Sequence, residues 1–576
     1  MNPYDKIVKK FVLRKDAVSM GMFLNRGTKE FERSVNSAVY VDKTDMISFF
    51  NGIINTEQSY VCVSRPRRFG KTMTANMLAA YYEKGSDSRF LFEERKLGKQ
   101  EGWDRYINKF DVLRIDIADI LSTYGDPDKA MNAIEAGIVS DIMKAYPELG
   151  IKPYDRPANA LDTASCDGGN PFVIIIDEWD AFFREQKSNE QLLKRYVDFL
   201  RALFKGNRSK VFTAFAYITG ILPIKRYNSE SALNNFAEYT MLNPLNLGRY
   251  FGFNSDEVKN LCLRYGMNYD RMCDWYDGYC FADEDEDDDN CEIVEDKADT
   301  GEDEDKTADE HIFGPNSVAM AVFNHKCLNY WSKTVAFDSL ASYITMNFDK
   351  LRDSIVELMG GGRMKVKTGG FQNDMTSFKS KDDVMTVLIH LGYLAYDSRT
   401  EEVYIPNKEV MQCFEQTLQA TDWTEVIEAI DDSEKLLKNL IGGNAEAVAE
   451  GIEKCHRQNS SILKYNDENS LASIIGLAFY AARAKYQLIR EFPSGEGFAD
   501  IVFLPKKGIA PAETPAIVVE LKWMKSAESA LDQIKAKKYP EGLEGFSNEI
   551  ILCGISYDKD GDTGKHHTCV IEKIRN

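Results

Sequence analysis

Long apolar runs are missing from this 576-residue chain, since no stretch approaches the length needed to span a bilayer. The N-terminus, MNPYDKIVKKFVLRKD, is charged too early and too often to be a secretory signal. Closely spaced cysteine pairs are also missing. The 11 cysteines are odd in number and scattered, and no C-x-x-C motif occurs. This pattern suits reduced thiols and disfavours disulfides and structural zinc. We therefore expect a cytoplasmic protein without a membrane segment.

Basic residues are outnumbered by acidic ones, 71 against 91, but most of the acidic excess lies in one segment. The formal net charge is −20, and positions 283–310 alone hold 17 acidic residues against two lysines. This segment has almost no apolar residues to bury, so self-repulsion should keep it disordered. It could mimic nucleic acid or repel polyanions, although a solvated insertion without a role is the favoured interpretation. Residues 451–576 hold 17 basic and 17 acidic residues, so charge does not indicate a nucleic-acid surface there.

One loop has a strong chemical character, YVCVSRPRRFGKT at positions 60–72. Residues 60–63 have strand character, and a helical stretch at 73–83 follows the loop at once. A strand end, a turn of backbone N–H groups and a helix N-terminus together form a phosphate-binding loop. In that interpretation Lys71 reaches the β- and γ-phosphates of a nucleotide, and the Thr72 hydroxyl binds Mg²⁺. The alternative is a basic strand-to-helix turn without a ligand.

A second nucleotide signature is FVIIIDEWD at positions 172–180, which suits a strand buried on both faces of a parallel sheet. Asp177 would hold the Mg²⁺ shell, and Glu178 would orient or deprotonate the attacking water. The two carboxylates could instead cap the next helix, but the upstream loop favours the nucleotide interpretation. Thr219 ends a further strand, where a sensor of the γ-phosphate would lie. The other predicted elements are strands at 110–117 and 211–219 and a polar, glycine-rich loop at 162–170.

Four motifs in combination closely resemble the AAA-ATPase-like family: RPRRFGKT, IIIDEWDAFF, ITGILPIKR with LNNF, and WYDGYCF. They span roughly residues 26–281. The general phosphate-loop motif has glycine where this chain has Arg65, but the loop of this family commonly reads RPRRFGK, so Arg65 is a family feature. The resemblance implies a P-loop fold of the additional-strand class, with ATP and Mg²⁺ as cofactors. The nucleotide-binding positions that it implies are Arg65, Arg67, Arg68, Phe69, Gly70, Lys71, Thr72, Asp177 and Thr219.

Between about positions 313 and 420 the chain changes character. Residues 380–390 are helical by apolar spacing, and strands at 392–396 and 403–405 flank a polar turn. Helix, strand, turn and strand form the end of a winged helix, a domain that either contacts DNA or serves as a protein–protein lid. Several acidic residues in this region would repel phosphate, so the structural role is favoured.

The C-terminal third carries a second set of chemical residues. A helix is predicted at 469–482, a strand at 486–491, a strand that begins at Asp500, and the strand AIVVELKW at 516–523. Because side chains alternate along a strand, Glu520 and Lys522 share one face. Placing these two groups in so apolar a strand is costly unless they pair or bind an ion. An edge-strand ion pair between them is the alternative to a functional site.

Asp500, Glu520 and Lys522 form the D…E-x-K arrangement of Mg²⁺-dependent nucleases. Two carboxylates hold the metal, while the lysine stabilises charge on the attacked phosphate or lowers the pKa of the attacking water. The stretch from about 466 to 557 resembles the PD-(D/E)XK nuclease superfamily, although the proline expected before the first aspartate is absent. Further residues that support the resemblance are the turn glycines Gly495 and Gly497, the extra ligand Glu468, and the cleft residues Gln533 and Lys537.

The predicted fold class is α/β, in five parts. They are an N-terminal arm at 1–25, an AAA-like P-loop domain at 26–282, the acidic insertion at 283–310, a helical, winged-helix-like region at 311–420 and a restriction-endonuclease-like domain at 421–576. We expect an ATPase fused to a Mg²⁺-dependent nuclease that acts on nucleic acid, with DNA favoured over RNA and an oligomer left open. The alternative is a nucleotide-dependent switch or scaffold whose C-terminal fold binds without cutting. The expected catalytic residues are Glu178, Asp500, Glu520 and Lys522, and the expected metal ligands are Thr72, Asp177, Glu468, Asp500 and Glu520.

Overall fold

The structure, a computed structural model, describes most of the chain. The described residues are 21–168, 170–186, 188–224, 233–281, 311–331, 337–346, 348–359, 362–371, 378–419, 424–459, 468–480, 482, 485–505, 514–543, 546–547, 549–560 and 565–575. The predicted acidic insertion at 283–310 and most of the predicted N-terminal arm lie outside them. Among the helices of the described part, none is both long and apolar enough to cross a membrane.

The chain divides into two compact units. The first comprises Met1–Leu328 and Lys367–Thr400, and the second comprises Asn329–Val366 and Glu401–Asn576. The phosphate loop lies in the first unit and the D…E-x-K residues lie in the second. The five-part division expected from the sequence is finer than this one and stays a prediction.

The bounds of the strands and helices follow in chain order. The strands are β1 (Tyr60–Ser64), β2 (Asp111–Asp116), β3 (Phe172–Asp177), β4 (Thr213–Gly220), β5 (Ala237–Tyr239), β6 (Phe253–Asn254), β7 (Tyr279–Cys280), β8 (His311–Phe313), β9 (Met364–Lys365), β10 (Ala395–Asp397), β11 (Glu402–Tyr404), β12 (Tyr486–Ser494), β13 (Gly497–Pro505), β14 (Ala516–Trp523), β15 (Glu549–Tyr557) and β16 (His567–Arg575). The helices are α1 (Lys29–Val35), α2 (Met46–Ile53), α3 (Lys71–Tyr82), α4 (Ile117–Tyr124), α5 (Pro127–Ala145), α6 (Pro157–Gly168), α7 (Ala181–Glu185), α8 (Glu190–Phe204), α9 (Ser209–Phe212), α10 (Ser255–Tyr265), α11 (Tyr269–Tyr276), α12 (Pro315–Asn324), α13 (Phe337–Ile344), α14 (Leu351–Met359), α15 (Lys381–Leu391), α16 (Lys408–Gln419), α17 (Thr424–Gly442), α18 (Ala445–Asn459), α19 (Glu468–Ala478) and α20 (Ala527–Ala536).

The main sheet of the first unit has the strand order β2-β3-β4-β1-β5, with every pair parallel. Strand β4 therefore lies between β1, which leads into the phosphate loop, and β3, which ends in Asp177. A strand inserted between the two nucleotide motifs is the additional-strand arrangement, so the predicted fold class is confirmed. Because the carboxyl ends of parallel strands meet at one edge of a sheet, the residues that follow β1, β3 and β4 lie close together.

Both faces of this sheet are covered by apolar layers. Strand β3 is buried along its whole length, with Ile174 and Ile176 in one layer and Val173 and Ile175 in the other. A strand buried on both faces has a continuous apolar sequence, which is why FVIIID could be recognised without the structure. The aspartate at its end is thereby placed at the margin of the core.

The loop predicted at 162–170 is wrong, because α6 covers most of it. Helix α6 has a polar composition, but Ala160, Leu161 and Ala164 form an apolar stripe on one face that packs into the core. Strand β4 also begins two residues later than predicted, at Thr213, because α9 occupies the residues before it.

The sheet of the second unit is mixed, with the strand order β12-β13-β14-β15-β16. Strands β14 and β15 are parallel, and the other neighbours are antiparallel. Along β14, Val519 and Leu521 pack into the apolar cluster that includes residues of α17, α18 and α19, whereas Val518 packs into the cluster with α20. Asp500 lies within β13, three residues after its beginning, and not at the start of the strand as predicted.

The predicted helix and two strands of the middle region are present as α15, β10 and β11. Helix α15 and β10 belong to the first unit, whereas β11 pairs with β9 in the second unit. The division of the chain into units therefore falls between the two strands of the predicted winged helix.

Candidate active sites

The phosphate-loop candidate begins where β1 ends and closes on the first turn of α3. Gly70 caps α3 with a φ of +90°, a conformation that glycine adopts without strain. Arg68 has a φ of +68°, which is uncommon for a residue with a side chain. Helix α3 begins at Lys71, two residues earlier than predicted. Lys71 and Thr72 therefore lie in the first turn of α3, at the positive end of the helix dipole.

The Lys71 side chain is buried and lies against its own loop. Its Nζ donates to the carbonyl oxygens of Arg65 and Pro66, each at 3.0 Å, and lies 3.5 Å from Glu178 Oε1. The ammonium group of Lys71 is thus surrounded by oxygen atoms of the protein. In the predicted role, phosphate oxygens of a nucleotide would bind this group instead. The contact with Glu178 joins the loop to the residue that follows β3.

Asp177 ends β3 and is fully buried. Burial, followed by the charge of Asp116, raises the pKa of Asp177 to about 7, although a hydrogen bond with Thr72 opposes the rise. Asp116 is its register partner on β2. Within the described residues, Asp177 Oδ2 has no hydrogen-bond partner. A buried carboxylate oxygen of this kind, near a hydroxyl and a second carboxylate, fits a divalent cation.

Glu178 follows β3 with a φ of +50° and is held by Arg184 of α7. Arg184 Nη2 donates to Glu178 Oε2, and Arg184 Nε donates to Asp180 Oδ2 at 3.1 Å. Burial acts to lower the pKa of Arg184, but the charges of Asp180 and Glu178 outweigh it, so the pKa is raised. Asp180 Oδ2 also accepts two backbone N–H groups that follow β4, at 3.1 and 2.9 Å. The Glu178 carboxylate is therefore fixed between Lys71 and Arg184.

Thr219 lies beside Asp177 in the register of β3 and β4. Its buried hydroxyl donates to the Val63 carbonyl at 2.9 Å and so links β4 to β1. Gly220 follows, and a Cβ at this position would lie 2.5 Å from Asp180 Oδ1. This close approach requires glycine. The predicted sensor is thus brought to the site, with its hydroxyl bonded to a strand carbonyl.

The remaining predicted loop residues divide into an exposed pair and a buried pair. Arg67 and Arg68 are exposed, whereas Arg65 is fully buried and Phe69 is buried. The loop therefore presents Arg67 and Arg68 to solvent, while Arg65 and Phe69 pack into the interior.

The second candidate site lies on β14 where Glu520 meets α20. Glu520 is only 1% exposed, and its Oε1 accepts a hydrogen bond from Lys522 Nζ at 3.0 Å and another from Gln533 Nε2. Lys522 Nζ also donates to the Leu521 carbonyl at 3.0 Å. Burial, followed by the charge of Asp500, raises the pKa of Glu520 to about 7. In the part of the chain that is described, Glu520 Oε2 has no hydrogen-bond partner.

Asp500 joins β13 to β14 beside Glu520. Its Oδ2 accepts the backbone N–H of Leu521 at 2.7 Å. The turn before it depends on Gly495, whose φ is +55° and whose Cβ would lie 2.2 Å from the Lys537 carbonyl oxygen. The turn between β12 and β13 therefore packs closely against the end of α20, the helix that carries Gln533.

Each site fits a divalent cation, because it has two neighbouring carboxylates and one carboxylate oxygen without a hydrogen-bond partner among the described residues. The described residues hold no ready-made group of three or more histidine, cysteine, aspartate or glutamate side chains. A cation would therefore take its other ligands from hydroxyl or backbone oxygens, water or substrate, as Mg²⁺ commonly does. Glu468 begins α19, but its side chain lies outside the described part, so this ligand stays a prediction.

Comparison with models of protein families gives two matches. Residues 26–228 match the AAA-ATPase-like family, described as a predicted AAA-ATPase, and residues 466–567 match the PD-(D/E)XK nuclease superfamily. The chain combines an AAA-ATPase-like segment with a PD-(D/E)XK nuclease-like segment. Both resemblances drawn from the motifs are thereby confirmed. Comparison with curated proteins gives no match.

Sequence reasoning missed three residues of the AAA-ATPase-like segment, Asp116, Asp180 and Arg184. Asp116 ends β2 in the way that Asp177 ends β3, so an acidic residue at the end of a predicted strand was the available signal. Asp180 and Arg184 are four residues apart, a spacing that favours an ion pair on a helix. Their contact with Glu178 could be found only from the structure.

Proposed function

We propose that the protein binds and hydrolyses ATP in its first unit and cleaves nucleic acid with Mg²⁺ in its second unit. One observation, common to both sites, carries the proposal. A buried carboxylate of raised pKa, Asp177 or Glu520, has an oxygen without a hydrogen-bond partner in the described residues and lies near a lysine. Burying such a group is unfavourable unless it binds a cation or a proton. The two family matches support the same pair of activities.

In the first unit, Lys71 would exchange the two loop carbonyls for the β- and γ-phosphates of ATP. The loop N–H groups and the dipole of α3 would add positive potential. Thr72 and Asp177 would hold Mg²⁺, which neutralises phosphate charge when bound. Glu178 would orient the attacking water and accept its proton, while Arg184 keeps the Glu178 carboxylate in place.

The other loop residues receive separate roles. For the exposed Arg67 and Arg68 we propose direct contact with the nucleotide, and for Thr219 a sensor role through its hydroxyl. Arg65 and Phe69 pack into the interior, so their effect on the nucleotide would be indirect.

In the second unit, Asp500 and Glu520 would hold Mg²⁺, which activates water and polarises the phosphodiester when bound. Lys522 would stabilise negative charge on the attacked phosphate or lower the pKa of the attacking water. Gln533 would orient Glu520 through the hydrogen bond to its Oε1. The reaction is hydrolysis, in which water oxygen bonds to phosphorus and the phosphorus–oxygen ester bond breaks.

The substrate is proposed from the chemistry of this site, because charge gives only local support. Three exposed lysines, Lys535, Lys537 and Lys538, lie at or just beyond the end of α20. Two of them already pair with carboxylates, Lys535 with Glu572 and Lys538 with Glu496. We propose a nucleic-acid substrate, with DNA favoured over RNA, in a cytoplasmic protein. We further propose that ATP binding or turnover controls cleavage.

One assay tests the proposal. The protein is incubated with plasmid, linear DNA and RNA, with Mg²⁺ or Mn²⁺, in the presence and absence of ATP. We expect the wild type to cleave in a metal-dependent way. Asp500→Asn should abolish both this cleavage and the binding of Mn²⁺. Lys522→Ala should retain Mn²⁺ but lose about 100-fold or more of the cleavage rate. Asp532→Asn, an exposed carboxylate on α20, is the matched control and should cleave normally.

Two results would contradict the nuclease assignment. Cleavage that survives both Asp500→Asn and Glu520→Gln would show that the activity lies elsewhere. Wild-type protein that binds nucleic acid and metal without cutting would favour the nucleotide-dependent switch or scaffold.

A further inference from the structure

The WYDGYCF motif at residues 275–281 takes no part in either proposed reaction. Its first two residues end α11, and Tyr279 and Cys280 form β7. Strand β7 belongs to a small sheet of order β6-β8-β7, in which Tyr279 pairs with Ile312 of β8. The end of the motif is therefore held by a sheet of its own, separate from the main sheet of the first unit.

This motif contacts the phosphate loop at two points. The rings of Tyr279 and Phe69 meet edge to face, with their centroids 5.3 Å apart. The Arg65 guanidinium lies 5.2 Å from the centroid of the Phe281 ring and 5.4 Å from that of the Phe251 ring. Phe251 and Phe281 lie next to opposite outer strands of the small sheet, β6 and β7. Two loop side chains are thus packed against one small structural element.

Arg65 also holds the backbone around it. Its Nη1 donates to the carbonyls of Ser64 and Tyr239 at 2.9 and 3.0 Å, which joins the loop to the end of β5. Its backbone N–H donates to the Gly220 carbonyl at 3.1 Å, and its own carbonyl accepts Lys71 Nζ at 3.0 Å. The residue therefore connects the start of the loop, the end of β4 and the loop lysine.

The burial of Arg65 is unusual for a side chain with so few polar partners. In the described part of the chain no carboxylate forms an ion pair with it, and its Nε and Nη2 have no hydrogen-bond partner. A buried charge without a counter-ion destabilises a fold. The aromatic faces of Phe251 and Phe281 offset part of this effect, because a cation is attracted to the negative face of a ring. The guanidinium is therefore held by two backbone carbonyls and two aromatic rings.

We propose that residues 279–281 together with Phe251 form a clamp that holds the phosphate loop in its binding shape, with Arg65 and Phe69 as positioning residues that do not contact the nucleotide. The clamp fixes the Arg65 carbonyl and the course of the loop up to Phe69. It thereby fixes the place from which Lys71 and the loop N–H groups act. This proposal rests on the proposed nucleotide function and adds the residues that shape its site.

The clamp predicts a particular kinetic signature. Without the clamp, the phosphate loop must become ordered when a ligand binds. The free-energy cost of this ordering weakens the binding of every ligand that occupies the loop. ATP and ADP both place their β-phosphate there, so the two Kd values should rise by the same factor. Glu178, the proposed base, keeps its contact with Arg184 when the clamp is lost, and bound ATP orders the loop that carries its other partner, Lys71, so kcat at saturating ATP should change little.

Arg65→Met tests the first contact point, because methionine keeps much of the volume and removes the buried charge. We expect Kd for ATP and for ADP to rise roughly tenfold each. Phe281→Leu removes the ring and should have a similar effect. The double variant should bind little worse than either single variant, since both substitutions disrupt the same clamp. Arg105→Met is the matched control, because Arg105 is an exposed arginine outside the phosphate loop whose guanidinium lies 5.0 Å from the centroid of the Tyr106 ring. Its Kd values should equal those of the wild type.

The measurements are calorimetric titration with ATP and with ADP, steady-state ATPase rates and melting temperature. A folded Arg65→Met or Phe281→Leu protein that binds both nucleotides normally would overturn the clamp. A loss for ATP alone would also overturn it, because that result would place Arg65 at the γ-phosphate. Wild-type protein without affinity for either nucleotide would overturn the proposed nucleotide function and the clamp with it.

Discussion

Replacing Glu520 with glutamine should make the stability of the protein less sensitive to pH. Glu520 is buried, and the charge of Asp500 nearby adds to the effect of burial on its pKa. Its partners Lys522 and Gln533 both bind Oε1, so they stabilise only one of the two carboxylate oxygens. The folded protein therefore favours the protonated form of Glu520 more than the unfolded chain does.

The size and sign of the effect follow from the two pKa values. The pKa of Glu520 rises from 4.5 to about 7 on folding. Its contribution to stability is fully present below pH 4.5 and is lost as the pH rises through 7, since the folded state binds the proton more tightly. Between pH 5 and pH 8 the loss amounts to about 2.5 kcal/mol in the free energy of unfolding. For the second unit, which contains Glu520, this loss of stability corresponds to a fall of about 5–10 °C in melting temperature.

Calorimetric melting of the wild type and Glu520→Gln, without divalent cations, provides the measurement. The melting temperature of the variant relative to the wild type should rise by several degrees between pH 5 and pH 8. Glu572→Gln, which removes a partly exposed carboxylate from β16, is the control and should show no such trend. At pH 8, Mn²⁺ should raise the melting temperature of the wild type more than that of Glu520→Gln. A constant difference between the two proteins across this pH range would refute the reasoning.

Three further predictions concern the first unit and the insertion. Lys71→Ala should abolish ATP binding, whereas Glu178→Gln should keep binding and lose hydrolysis by about 100-fold or more, as measured by calorimetry and phosphate release. Millimolar nucleotide that gives no binding heat with the wild type would contradict this assignment. Arg184→Lys keeps the charge but loses the fork that reaches two carboxylates, so kcat should fall roughly tenfold at an unchanged Kd for ATP; an unchanged kcat would show that Glu178 needs no such support. A short Gly/Ser linker in place of residues 283–310 should leave ATPase activity and melting temperature nearly unchanged, and a drop of many degrees would show that this segment stabilises a folded unit.

The sequence predicted the elements whose signals are local. The apolar run of β3, the glycine before Lys71 and the alternation along β14 are each readable within a few residues, because they reflect burial, backbone conformation and the period of a strand. The helix α6 was missed because its signal is not local. Its apolar positions are few and its composition is polar, so only packing against the core shows which face is buried.

The proposed positions of phosphate, metal and water could thus be inferred from residue types and their order along the chain, since Lys71, Asp177, Glu178, Asp500 and Glu520 lie within local motifs. The tertiary structure decided how these groups are held and charged. Burial and the approach of residues distant in sequence raise the pKa values of Asp177 and Glu520. The same kind of contact turns Arg65, which its motif places in a binding loop, into an interior residue between Phe251 and Phe281. Such effects depend on which side chains lie within a few ångströms, and a motif of neighbouring residues does not contain that information.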